Sequence, residues 1–383
     1  MAGMKERLAT VDALRGLVMI IMALDHVRDF VHRAAMSSSP TDLRVASAVL
    51  FLTRWITHLC APVFMLTAGV GAYMYARRGG RTTGQLSWFL VTRGLWLIAL
   101  ELTVMQLAYN FDVSASYPVF LLVLWVLGAC MIILAALVWL PIPVLIVGCA
   151  AVVVLHHLLD GTPWPLLYQV GAVPFAGRVF IAPYTLIPWF AVMAFGYCMG
   201  PLFEAPAAAR RRWLFRIGLG LTVAFIVIRG LNVYGDPVPW SGPRVLLSFL
   251  NTTKYPPSLS FLLMTLGPAL VLLAWFERVS FSRTNPLIVF GRVPLFYFVL
   301  HFFAAHAIAV LLAIATYGSS AWSFMFQPVP SMGGPAPAFP AGFGWDLWVV
   351  YAVWIALVAL LYPVCRWFSA VKERRREWWI SYL

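Results

Sequence analysis

The chain has 383 residues, of which 62% are hydrophobic and 11% charged, against roughly 25% charged in an ordinary soluble domain. That balance excludes a water-soluble enzyme, and no polar stretch is long enough for a second, soluble domain. Residues 1–383 read as a single integral-membrane domain with a basic tail at 368–383. The formal charge of +13 comes from 27 Lys and Arg against 14 Asp and Glu; its excess sits in short loops between apolar segments, which is membrane orientation rather than nucleic-acid binding.

Apolar windows predict an all-α polytopic bundle of about ten spans, at approximately 13–33, 45–76, 88–108, 118–140, 143–159, 184–203, 213–234, 258–276, 286–315 and 345–367. Lys5 and Arg7 before the first span resemble the start of a signal peptide. Asp12 and Arg15 interrupt that stretch, however, and Asp25-His26 stands where small residues would mark cleavage, so a retained first helix is expected. Lys5, Arg7, Arg77, Arg78, Arg81, Arg210, Arg211, Arg212, Arg216, Arg278, Arg283, Lys372, Arg374, Arg375 and Arg376 all fall on one side. By the positive-inside rule that side is cytoplasmic, with both termini there. The opposite loops, Asp160 to Pro183, Tyr234 to Pro257 and Tyr317 to Gly344, are longer and richer in Pro, Gly and Trp. Spans four and five meet at the cation-free turn Leu140-Pro141-Ile142-Pro143, and the fifth is short. No internal repeat is visible, which disfavours a transporter of duplicated halves. The tail Lys372 to Trp379 reads as an interfacial anchor on anionic lipid. The five cysteines, Cys60, Cys130, Cys149, Cys198 and Cys365, lie in or beside apolar segments without pair spacing, so neither a disulfide framework nor a thiolate zinc site is expected.

An ionisable group in mid-bilayer costs about 2.5–3.5 kcal/mol on insertion scales and asks for a partner or a wet cavity. The first span carries Asp12, Arg15, Asp25, His26, Arg28, Asp29, His32 and Arg33. Arg15 and His26 are separated by roughly three helical turns plus about 20°, so they share one face about 16 Å apart along the axis. With Asp12, Met19, Met22, Asp29 and Arg33 they form a stripe spaced by threes and fours, which must face protein or water. A salt-bridge ladder, Asp12 with Arg15, Asp25 with Arg28 or Asp29 with Arg33, would account for the charges but not for His26, a group able to exchange a proton near neutral pH. The second span places Arg54 and His58 on one face, with Pro62 freeing the carbonyl of His58. Glu101 and Gln106 in the third span, and His301 and His306 in the ninth, are further candidates; the last two are 140° apart on a helix and do not share a small ligand. No spacing supports a metal site. His156-His157 beside Asp160 reads as an interfacial feature. At the cytoplasmic mouth, Arg77-Arg78-Gly79-Gly80-Arg81 and Arg93 could grip a pyrophosphate, or serve only as a topology signal.

The segment Arg7-x4-Asp12-x2-Arg15-Gly16-x5-Met22-x3-His26 resembles the start of transmembrane acyltransferases, and its Arg-x10-His spacing is similar to the motif of the membrane acyltransferase-three family. Ala61-Pro62-Val63-Phe64-Met65-Leu66-Thr67-Ala68-Gly69, Lys254-Tyr255-Pro256-Pro257-Ser258-Leu259 and Met264-Thr265-Leu266-Gly267 resemble segments of the bacterial relatives of lysosomal heparan-alpha-glucosaminide N-acetyltransferase. The resemblance implies membrane-embedded transfer of an acyl group, commonly acetyl, from cytoplasmic acyl-CoA to an amine or hydroxyl of a sugar-like acceptor from the other side. No metal is implied. The lysosomal enzyme has an asparagine about where His26 stands, and the histidine proposed for its chemistry falls near Ala48, so that catalytic residue does not carry over.

Together these readings put CoA phosphates on Arg77, Arg78, Arg81 or Arg93 and the pantetheine arm along the Met19 and Met22 face. His26 is the expected general base, its tautomer held by Asp25 or Asp29, with Arg15, His58 or Arg54 polarising the thioester. Attack by His26 itself, giving an acyl-imidazole, is a variant of this scheme. The expected setting is a bacterial cytoplasmic (inner) membrane, with acyl-CoA, a glycan or small-molecule acceptor, lipid and, in a homo-oligomer, further copies of the chain as partners. The rival readings are a proton-coupled transporter or lipid-linked substrate flippase, and a non-catalytic membrane protein whose polar groups simply pair.

Overall fold

The computed structural model describes residues 2–111, 118–326, 339–375 and 377. The side chains of Lys5 and Arg7, part of the loop between Tyr317 and Gly344, and Arg376, Trp378 and Trp379 of the tail lie outside the described residues. Of the described residues 70% are helical, with little sheet. In order, the helices are α1 (Ala2–Val31), α2 (Ala48–Thr57), α3 (Cys60–Arg78), α4 (Thr83–Leu100), α5 (Gln106–Asn110), α6 (Val123–Leu137), α7 (Ile142–Leu155), α8 (Trp189–Cys198), α9 (Ala207–Leu231), α10 (Val245–Leu250), α11 (Leu259–Phe276), α12 (Pro286–Arg292), α13 (Pro294–Tyr317), α14 (Ala321–Met325) and α15 (Leu347–Arg374).

Seven helical stretches among the described residues are long and apolar enough to cross a bilayer: Ala48–Arg78, Thr83–Asn110, Ile142–Leu159, Ala207–Leu231, Leu259–Phe276, Pro294–Met325 and Leu347–Arg374. Val123–Leu137 and Trp189–Phe203 are apolar but shorter, and α1, although long, is crowded with charge. The expected second span is not one continuous helix. A turn at His58-Leu59 separates α2 from α3, which puts Pro62 in the first turn of α3, where its missing N–H is no loss. The third span is interrupted too, by a π-helical turn at Glu101–Met105 of the kind that often marks a functional or strained position. A further departure from an all-α chain is an antiparallel hairpin of Gly171–Phe175 with Arg178–Ala182. Its two-residue turn, Ala176-Gly177, has positive φ at both positions (48° and 73°), the backbone that suits a right-twisted hairpin.

The chain divides into two compact units. One comprises Met1–Leu14, His58–Leu102 and Phe120–Phe281, the other Arg15–Thr57, Thr103–Val119 and Ser282–Leu383. In the first, α3 packs on α8, α4 on α6 and α9 on α11. The α3–α8 crossing is backbone on backbone: a Cβ on Gly69 would lie 1.9 Å from the Met193 carbonyl oxygen, and one on Gly196 1.9 Å from that of Leu66. Membrane helices associate through such small-residue contacts. Thr82 and Gln85 cap α4 reciprocally (3.3 and 3.0 Å), and Ser258 caps α11. Arg229, buried in α9, donates to the carbonyls of Phe249, Val238, Ser248 and Asn251 and lies 3.7 Å from Asp236. Asp236 in turn accepts from Thr253 and Ser258. This hub shapes the loop between α9 and α11.

In the second unit the Arg15–Val31 part of α1 is held by α12 and α15. Gly16 is pressed on α12, where a Cβ would sit 1.8 Å from the Leu287 carbonyl oxygen. Trp354 of α15 donates its indole N–H to the Ile20 carbonyl at 2.8 Å, and Arg33 pairs with Asp346 at 2.9 Å. Asn285 caps α12 and Pro286 occupies its first turn, as expected where a helix must begin sharply.

Candidate active site

The polar stripe of α1 is sorted by its partners. The guanidinium of Arg28, 4% exposed, reaches Asp25 at 2.8 Å and Asp29 at 2.6 Å. Asp25, 7% exposed, receives Arg54 of α2 on its other oxygen. Two carboxylates and two guanidinium groups thus form a quartet without net charge, the condition under which buried ions are tolerated. The Asp25–Arg28 rung expected of a ladder is present, whereas Arg33 turns to Asp346.

His26 does not use a carboxylate at Nδ1. That nitrogen lies 2.6 Å from Nε2 of His301, which α13 supplies, so the expectation that Asp25 or Asp29 sets the His26 tautomer gives way to a histidine pair. The reason is geometric: Asp25 is about 100° round the helix from His26, and both aspartates are engaged by Arg28. The protons of the pair can be assigned. His301 Nδ1 faces the Tyr297 carbonyl oxygen at 3.1 Å; a carbonyl only accepts, so Nδ1 carries the hydrogen and Nε2 of neutral His301 is an acceptor. His26 Nδ1 therefore donates, and the lone pair of neutral His26 is on Nε2. The imidazole of His26 is stacked on Phe302 (centroids 4.0 Å apart, 30°) and meets Phe298 edge-on (6.4 Å, 89°). His301 is fully buried, while His26 is half-buried. A base fixed in tautomer and ring orientation by a group behind it, with its own face partly accessible, is the arrangement general-base catalysis needs.

The other candidates are placed as follows. Arg15 is half-buried on α1, and because α1 is one unbroken helix it shares a face with His26. His306 points elsewhere: its Nδ1 faces the Ala108 carbonyl at 2.9 Å and its ring stacks on Phe30 and Phe111, a packing role. His58 belongs to the first unit, where it is 2% exposed and its ring meets Phe261 edge-on at 5.3 Å. In that unit Arg77 pairs with Glu204 at 2.6 Å while both stay exposed, and Arg81 lies over the Tyr75 ring at 3.8 Å and donates to the Tyr75 carbonyl. Arg78 is exposed and Arg93 half-buried. Glu101, fully buried, accepts from the backbone N–H groups of Leu124 (2.8 Å) and Trp125 (3.1 Å), so it caps the start of α6 with a charge that suits the helix dipole. His156 and His157 are tethers as well: His156 reaches the Pro257 carbonyl, and His157 bonds Asp160 and accepts from Leu259 N–H. Among the described residues no group of three or more His, Cys, Asp or Glu is arranged to hold a metal ion.

Arg229 is a buried cation that reading the sequence missed, and its signal was an arginine two residues before the end of α9, after the uncharged run from Ile217 to Ile228. Against known proteins, the model of the family described as heparan-alpha-glucosaminide N-acetyltransferase, catalytic, matches residues 7–235. No curated protein matches the chain. The matched stretch is more than half of the chain and contains Arg15, Asp25, His26 and Arg54, whereas His301 lies beyond it. The chain therefore belongs to the heparan-alpha-glucosaminide N-acetyltransferase catalytic family.

Proposed function

We propose that the protein is a membrane-embedded acyltransferase that moves an acetyl or related acyl group from acyl-CoA to an amine or hydroxyl of a sugar-like acceptor. The observation that carries this reading is the His26–His301 pair, in which a buried histidine fixes the proton on Nδ1 of its neighbour and leaves the basic lone pair on Nε2. The acceptor attacks the thioester carbon while His26 Nε2 takes its proton. Collapse of the tetrahedral intermediate breaks the C–S bond, and His26 returns the proton to the departing thiolate, giving free CoA. The cluster Arg77, Arg78, Arg81 and Arg93 holds the phosphates of the donor. Its exposed Arg77–Glu204 bridge is of a kind that contributes only about 0–1 kcal/mol and opens readily to a stronger anion. On a straight α1, Arg15 and His26 lie roughly 16 Å apart along the axis, so Arg15 meets the pantetheine arm rather than the thioester.

In this reading the basic loops and both termini face the cytoplasm of a bacterial inner membrane, and the bundle comprises about ten spans. The test uses purified protein in proteoliposomes, labelled acetyl-CoA as donor and glucosamine as a probe acceptor. His26→Ala is expected to remove transfer while the protein still inserts and is still stabilised by CoA, a ligand effect that thermal shift reads directly. Full turnover by His26→Ala, or pH-gradient-driven flux of substrate without CoA, would overturn it.

A further inference from the structure

At the Ala207 end of α9 and the Phe276 end of α11, the two helices leave a groove of about 400 Å³ lined by Ala208, Arg211, Arg212, Phe215, Trp275 and Arg278, among others. Its neighbour Arg210 has a structural role: 3% exposed, it is paired with Glu277, which also accepts from Thr10. Arg211, Arg212 and Arg278 differ, since none makes an ion pair with a carboxylate among the described residues, and Arg212 and Arg278 are exposed. Three like charges converge where two candidate membrane helices end, and such an arrangement is self-repelling until an anion enters. The apolar part of the groove comes from Phe215, 48% exposed, and Trp275, 55% exposed, with Trp213, 50% exposed, close by on α9. Amphipathic rings at helix ends mark the headgroup level of a bilayer, and basic pockets between membrane helices are suited to phosphate headgroups.

From this groove we infer a binding site for the phosphate headgroup of an anionic membrane lipid, with Arg211, Arg212 and Arg278 as the phosphate ligands and Phe215 and Trp275 against the first carbons of the acyl chains. The occupant is a lipid rather than a soluble phosphate, because the cations share the groove with side chains of bilayer depth and not with polar donors for a ribose or base. A doubly phosphorylated headgroup, such as that of a cardiolipin, matches three guanidinium groups in charge better than a single phosphodiester does. The site requires only that the helices span a membrane and is separate from the acyl-transfer chemistry.

The experiment is native mass spectrometry of the full-length protein from detergent supplemented with cardiolipin, with phosphatidylcholine in a parallel arm. Retained cardiolipin adducts with little phosphatidylcholine are expected, and the triple variant R211Q/R212Q/R278Q should bind cardiolipin about 100-fold more weakly, at the usual worth of each cation near an anionic surface. The variant R211K/R212K/R278K keeps the charge and should retain binding, as should R374Q/R375Q in the tail. Equal retention of both lipids by the unmodified protein refutes the site without any variant. Undiminished cardiolipin binding by the glutamine variant, or displacement of the lipid by millimolar CoA or inorganic pyrophosphate, refutes it as well, the last by assigning the groove to a soluble phosphate.

Discussion

Replacing His301 by leucine tests the proposed chemistry at a residue that touches no substrate. The substitution keeps an apolar side chain against Phe302 and Tyr297 but removes the acceptor 2.6 Å from His26 Nδ1. A hydrogen bond of this kind has a net worth of about 1 kcal/mol, so the tautomer with its lone pair on Nε2 loses roughly a fivefold preference. The ring also loses its anchor, which adds to the loss. The ceiling is what the general base itself contributes, about 10²–10⁴-fold. His301→Leu should therefore lower kcat by roughly tenfold or more and leave KM for acetyl-CoA nearly unchanged, because no donor contact is altered. His301→Gln should recover part of the rate, since its amide oxygen can accept from His26 while its NH2 group donates to the Tyr297 carbonyl. The double variant His26→Ala, His301→Leu should be no slower than His26→Ala alone, as expected of residues that act as a unit. Wild-type kcat in His301→Leu, or additive losses in the double variant, would refute the positioning role.

Three further outcomes follow from packing and hydrogen bonding. Gly16→Ala places a Cβ 1.8 Å from the Leu287 carbonyl oxygen, so α1 and α12 must part; overpacking of this kind costs about 1–3 kcal/mol, and an unchanged melting temperature in detergent would show that the approach is not tight. Arg229→Met strips donors from four carbonyls and leaves Asp236 buried opposite a thioether. Breaking a buried pair costs about 3–5 kcal/mol, and hydrogen exchange over residues 236–258 should rise first, so unaltered protection there would count against the hub. Glu101→Gln keeps an acceptor for the Leu124 and Trp125 N–H groups and should lose only about 1 kcal/mol of charge–dipole attraction. Glu101→Ala, which leaves both donors unsatisfied, should melt clearly lower than Glu101→Gln, and equal melting of the two would exclude the capping role.

The apolar windows located helices well because hydropathy is a local property, and the α1 stripe stood out because three- and four-residue spacings put like groups on one face. The breaks were less visible. The turn at His58-Leu59 and the π turn at Glu101–Met105 lie inside uniformly apolar stretches, where composition does not change when the helical hydrogen bonds do. The Ala176-Gly177 hairpin was hidden because alanine seldom adopts positive φ. Partner choice was the least readable feature. Asp25 is next to His26 in sequence, which invited pairing, yet adjacent residues on a helix do not face each other. Which residue does face His26 depends on how α13 is laid against α1, a tertiary fact that no spacing in the chain encodes.

The ion pairing around His26 also favours the proposed acyl transfer over proton-coupled transport. A proton-coupled transporter needs titratable groups that can each gain and pass on a proton along a continuous route. Here Asp25 is held by Arg28 and Arg54, and Asp29 by Arg28. To protonate either carboxylate would leave buried guanidinium charge without its counter-ion, which is strongly unfavourable. The histidine pair of His26 and His301 leads, on the His301 side, to a backbone carbonyl, Tyr297, which accepts a hydrogen bond but does not relay a proton. A pair closed on that side by a carbonyl suits a reaction in which one proton is lifted from an acceptor and handed back to a leaving group at the same nitrogen, as the proposed acyl transfer from a thioester requires.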